Sequence, residues 1–140
     1  MKRSSNWFKL RAIGWRKAGL LVKAFSVLLA YKSALFVFPF RYFITPHSTV
    51  RTNKPSVGQL NEVVWAVQVV SRRVPFGFTC LVQALSVRWL LRSHPAIELK
   101  IGVHKSETGQ FTAHAWVEHN QQIIIGEQSD QAFTPILTWT

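Results

Sequence analysis

The sequence is poor in cysteine and, over its first 61 residues, has no acid at all. One cysteine, Cys80, among 140 residues excludes an internal disulfide and any multi-cysteine metal site, and makes a reducing cytoplasm the expected home. No Asp or Glu precedes Glu62, whereas residues 1–61 carry eleven Lys and Arg. From Glu62 onward six basic residues balance six acidic ones, so the net charge of +11 belongs entirely to the front. A Gly-rich phosphate loop is absent, and with it any expectation of a nucleotide site. His47, His94, His104 and His119 share no zinc-site spacing, so neither metal nor other cofactor is expected. The aromatic residues do not interleave with the basic ones as in RNA-binding modules, and no helix-turn-helix or zinc finger appears, which excludes nucleic acid as the expected partner. Long apolar runs are also scarce. The longest, Ala24 to Phe40, is broken by Lys32 and falls short of the roughly 20 residues a spanning helix needs, so it reads as an interfacial or docking helix. Arg11, Arg16, Lys17 and Lys23 interrupt the N-terminal apolar residues, and no small-residue cleavage site follows them, unlike a signal peptide.

What is present supports one α+β domain behind a basic arm. A hydrophobic fraction of 48% is ample for a core. Residues 6–13 and 17–36 read as helices, the second with Leu20, Leu21, Ala24, Phe25, Leu28, Leu29 and Leu35 at helical spacing. Pro39 ends that helix, and residues 46–55 form a polar connector. A further helix starts at Ser56, where Ser56 and Gln59 spell a capping box, and ends before Pro75 with Arg72 and Arg73 at the negative end of its dipole. Thr79 is a good N-cap for a third helix, Cys80 to about Leu91, apolar on nearly every side and hence central. After Pro95 the period changes to two. Leu99–Val103, Phe111–His119 and Gln122–Ile125 read as three strands of an antiparallel meander. The expected division is an arm and connector at 1–55 and an α+β domain at 56–140.

The chemistry rests on two residues. Cys80 takes the first helical position, where unpaired amides and the positive end of the helix dipole favour a thiolate. By itself a cysteine on a greasy helix is more often a small buried hydrophobe. His114 lies between Ala113 and Ala115 on a strand, sharing a face with Trp116 and Glu118, and the small neighbours leave room for a second element to approach. A lone histidine on a strand is more often structural, but a cysteine opening a buried helix, followed by a small-His-small strand, is a more specific arrangement, and a helix packed on this sheet would supply the contact that Cys–His pairing needs.

These residues also carry a resemblance. The segment Arg73-Val-Pro-Phe-Gly-Phe-Thr-Cys-Leu-Val-Gln-Ala-Leu-Ser-Val-Arg-Trp-Leu-Leu91, the strands Leu99-Lys-Ile-Gly-Val103 and Phe111-Thr-Ala-His-Ala-Trp-Val-Glu118, and the tail from Ile125-Gly126 to Phe133-Thr-Pro135 resemble the leader peptidases of lasso-peptide biosynthesis, the B2 proteins. That family lies in the transglutaminase-like, papain-related superfamily, and the likeness covers roughly residues 60–140. It implies a transglutaminase-like core in which the Cys80 helix packs on an antiparallel sheet bearing His114. It also implies hydrolysis of the leader–core bond of a ribosomally made precursor. The family's acidic third member has no counterpart within Gln122-Ile-Ile-Ile-Gly126. Glu127 is the nearest carboxylate, with Asp130 behind it, and becomes the expected orienter of His114. Glu118 reads instead as a sheet-rim charge.

Residues 1–55 lack the fused leader-recognition domain of some relatives, so the resemblance implies a split system. The precursor peptide is then captured by a separate leader-binding protein, B1, and the product closed by an ATP-dependent macrolactam cyclase. The basic arm is expected to dock B1, the cyclase or the inner membrane surface, and the residues leave these three open. Two rival functions share the same residues. One is a transglutaminase-like acyltransferase, in which an amine resolves the thioester. The other is a non-catalytic membrane-surface or partner-binding protein.

Overall fold

The structure, a computed structural model, describes residues 14–43, 56–94, 96–128 and 132–139. The helix expected at 6–13, the connector at 46–55 and Asp130 lie outside these residues. Three helices pack on one face of a four-stranded antiparallel sheet, an α+β arrangement. In chain order they are α1 (Trp15–Val37), a short 3-10 turn (Phe40–Phe43), α2 (Val57–Arg73), α3 (Cys80–Leu90), β1 (Ile97–Lys105), β2 (Phe111–His119), β3 (Gln122–Ile125) and β4 (Thr134–Trp139).

Helix α3 is the centre of the packing. Its Val82, Ala84, Leu85 and Val87 are buried, and it touches α1, α2, β1 and β2. The opposing sheet face supplies Ile97 and Leu99 from β1 and Ala115 and Val117 from β2, in the alternation the sequence predicts. Helix α2 contributes Leu60, Val63, Ala66, Val67 and Val70. Its N-terminus departs from expectation. Ser56 holds the cap position but no side-chain cap bond forms, and the first turn closes through Gln59 N–H to the Ser56 carbonyl at 2.9 Å.

The strand order is β3-β2-β1-β4. The meander of β1, β2 and β3 matches the sequence reading, whereas β4, which returns to pair with β1, was not expected. Pro135 hides it, because proline lowers strand propensity everywhere except at an edge, and here it sits on an edge strand where the register with β1 shifts beside Gly102.

The front segment is less separate than its charge suggests. Helix α1 is 23 residues long and starts well before the apolar run at Ala24, so by length and composition it is sufficient to cross a membrane. One stripe of it nevertheless joins the common core: Ala24 and Leu28 are fully buried, with Leu20, Leu21, Phe25, Tyr31 and Leu35 half-buried around them. The opposite stripe is open, with Val22 65% and Phe36 93% exposed. Leu28→Ala is therefore expected to lower unfolding free energy by about 2–5 kcal/mol, and Val22→Ala by less than about 0.5 kcal/mol. Urea denaturation of both variants checks this, and equal effects would remove α1 from the folding unit.

Candidate active site

Thr79 starts α3 by accepting the Val82 N–H on its hydroxyl at 3.4 Å, which leaves Cys80 as the first helical residue. The side chain of Gln83, one turn on, donates to the Phe78 carbonyl at 3.0 Å and ties the entering loop to the helix. That loop turns at Gly77, whose φ of 58° suits glycine. Helix α1 pins it from the other side. Lys32 Nζ reaches the Gly77 carbonyl at 3.5 Å and sits 5.6 Å from the Phe78 ring centre, while Phe25 meets Phe76 and Phe76 meets Phe78 at 6.4 and 6.3 Å. Cys80 itself is half-buried against the core.

His114 lies on β2 opposite Gly102 of β1 and is 8% exposed. Its Nε2 is 2.6 Å from the carbonyl oxygen of Gly126. A carbonyl only accepts, so Nε2 carries a proton in this bond, and in the neutral ring the lone pair then lies on Nδ1. The ring stacks on Trp116, with centres 6.2 Å apart, and meets Phe133 at 5.1 Å. Trp116 lies across Gly102, where a Cβ would come within 2.8 Å of the indole. On the same face Glu118 accepts from Trp116 Nε1 at 2.8 Å and from Lys100 Nζ at 2.6 Å. Burial pushes the Glu118 carboxyl up, but hydrogen bonds from Lys100 and Trp116, with the Lys100 charge, outweigh it and hold the carboxyl below its ordinary value. The hydrogen bond to Glu118 in turn raises the Lys100 ammonium. Glu118 thus braces the indole that backs His114, rather than serving as a free rim charge.

The expected residues are brought together only in part. Helix α3, which opens with Cys80, packs on β2, which bears His114. Among the described residues no hydrogen bond joins Sγ to the ring. Glu127 is exposed, and among the described residues its carboxylate bonds to nothing on His114; the imidazole is held by the backbone carbonyl of the residue before it. Sequence reasoning missed this group because a carbonyl is common to every residue type. The one signal was glycine at 126, where φ is 87° and a Cβ would meet the Ala115 carbonyl at 2.8 Å. Lys32 and Phe133 were missed because their partners are distant in sequence.

Two outcomes are expected. Gly126→Ala, strained at a positive φ and blocked by Ala115, should cost about 1–3 kcal/mol, read by thermal unfolding. Glu118→Gln should cost about 1–3 kcal/mol near neutral pH. Because the folded Glu118 carboxyl titrates below its unfolded value, its contribution is complete above the unfolded value and is lost as pH falls through the folded one. The raised Lys100 contributes fully below its unfolded value and loses that as pH rises through the folded one. The acid limb of a Tm-against-pH curve should therefore be shallower in Glu118→Gln than in the wild type, and an unchanged limb would contradict the role of this pair.

Comparison with known proteins sets this arrangement in a family. The transglutaminase-like superfamily matches residues 26–138, from within α1 to the end of β4. No curated protein and no solved structure matches the chain. The matched span covers the Cys80 helix, the His114 strand and Gly126 alike, and is compatible with cysteine-based catalysis. The chain belongs to the transglutaminase-like superfamily.

Proposed function

We propose that this protein is the leader peptidase of a lasso-peptide pathway, cutting one bond between the leader and core of a ribosomally made precursor. Cys80 Sγ attacks the scissile carbonyl after passing its proton to His114 Nδ1. The imidazolium then protonates the departing amine of the core, leaving the leader as a thioester on Cys80. Water, deprotonated by the same nitrogen, hydrolyses the thioester and restores the thiol. The single observation that carries this reading is the bond from His114 Nε2 to the Gly126 carbonyl. It fixes the ring's proton on the far nitrogen and leaves Nδ1 to work as base, the task that a carboxylate performs in a triad. Sγ and Nδ1 must meet for the reaction, and substrate binding supplies that approach, since catalytic hydrogen bonds often tighten only in the complex.

The likeness of the Cys80 and His114 segments to B2 proteins supports the choice of substrate over other peptides. A separate B1 protein presents the precursor, the freed amine passes to an ATP-dependent cyclase, and Glu127 remains a weaker candidate for a third catalytic role. The work takes place in the cytoplasm. The exposed stripe of α1, apolar and flanked by Arg16, Lys17 and Lys23, favours contact with the inner membrane surface, where anionic lipid attracts each basic side chain by about 1 kcal/mol.

The deciding experiment incubates precursor and B1 with wild type, Cys80→Ala and His114→Ala and follows products by mass spectrometry. Cys80→Ala should abolish cleavage and His114→Ala should slow it by about 10²–10⁴-fold, while omission of B1 slows the wild type. Cleavage that survives Cys80→Ala would sink the peptidase reading. Amine-adducted leader in place of free acid would convert it to an acyltransferase.

A further inference from the structure

Strand β3 ends the described sheet, with β2 on one side only, so the backbone groups along its other side are unpaired within that sheet. Beside it runs a groove of about 410 Å³, a size in the range of ligand clefts, about 300–1,000 Å³. Ile123 to Glu127 form one wall, and Gln68, Ser71 and Arg72 of α2 form the other. Gln83 of α3 also lines it, one turn beyond Cys80, and so does Gly126, whose carbonyl holds His114.

Two features of the α2 wall are unspent. Ser71 Oγ is buried yet has no hydrogen-bond partner, a condition that proteins generally avoid. The exposed Arg72 forms no ion pair among the described residues. A wall of amides and a guanidinium beside a strand edge that is unpaired within the described sheet suits a ligand that carries alternating N–H and C=O groups along one side. An extended peptide has that chemistry, and adding it as a strand would satisfy the β3 edge.

We propose that this groove holds an extended segment of the peptide substrate, paired to the outer edge of β3, with an acidic side chain of that segment on Arg72. The proposal rests on the peptidase reading and adds to it the place and register of the substrate. A chain lying along β3 runs towards Gly126, and so towards the ring that Gly126 holds and the helix start that bears Cys80. The charge preference follows from the wall. Arg72 offers a charge-assisted bond that a lysine or alanine in the peptide cannot accept.

The test uses six-residue peptidyl chloromethyl ketones, which alkylate a thiol with loss of chloride, and reads modification of Cys80 in the full chain by intact mass. Each rate is divided by the same protein's rate with iodoacetamide, which needs the thiol but not the groove. Three reagents are compared: one with a central Glu, one with Lys at that place, and the Glu reagent with alternate amides N-methylated so that it cannot pair as a strand. In the wild type the normalised rate should fall about tenfold or more on N-methylation and on the Glu-to-Lys change. In Arg72→Glu the preference should reverse to the Lys reagent. Equal rates for the parent and N-methylated reagents overturn the proposal using the wild type alone, so a misfolded variant cannot rescue it. An unchanged Glu preference in Arg72→Glu likewise overturns it. Precursor cleavage that survives Cys80→Ala overturns the peptidase reading alone, because the labelling ratio reports the groove whether or not the enzyme turns over.

Discussion

The bond from His114 Nε2 to the Gly126 carbonyl governs the rest of the site. It is short, 2.6 Å, and its acceptor is main chain, so it cannot rotate away as a carboxylate can. For that carbonyl to reach the ring, the chain leaving β3 must turn back against β2 at a positive φ, with the Ala115 backbone too close for any side chain. The ring must also keep its orientation, and Trp116 and Phe133 pack against it. Trp116 depends in turn on the bare backbone of Gly102 beneath it and on Glu118 at its nitrogen. A chain of small demands, two glycines, two rings and a half-buried ion pair, thus converges on one imidazole nitrogen.

Cys80 is positioned by a different set of forces. Cys80 is placed by a helix start, and the helix start by a loop that α1 grips through Lys32 and the Phe25, Phe76 and Phe78 rings. Helix α1 of the basic front segment is thus in contact with the turn that leads into Cys80.

Much of this was legible in the sequence. Period-two alternation announced β1 and β2, the turn at Asn120-Gln121 set off β3, and the faces of β2 fell as the alternation required, with Ala115 and Val117 inward and His114 beside Trp116. Thr79 before an apolar run announced α3 and put Cys80 at its tip. What stayed hidden was carried by groups that residue identity does not encode. The acceptor for His114 is a carbonyl, the strand at the C-terminal end of the chain is masked by Pro135, and the Ser56–Gln59 signature produced a backbone turn instead of a side-chain cap. The charge asymmetry of the front half suggested an independent arm because charge says nothing of the stripe, Ala24 and Leu28, that is sealed into the core.

Helix α1 answers to two masters along its two flanks. The sealed flank is constrained by shape, since every atom there has neighbours to fit. The open flank, with Val22 and Phe36 largely bare, is constrained only by what it meets outside the molecule. Substitutions on that outer flank leave the core packing untouched, whereas a change on the inner flank disturbs the seat of the helix whose Lys32 meets the Gly77 turn. The same helix is therefore free to diversify on one side and held nearly fixed on the other.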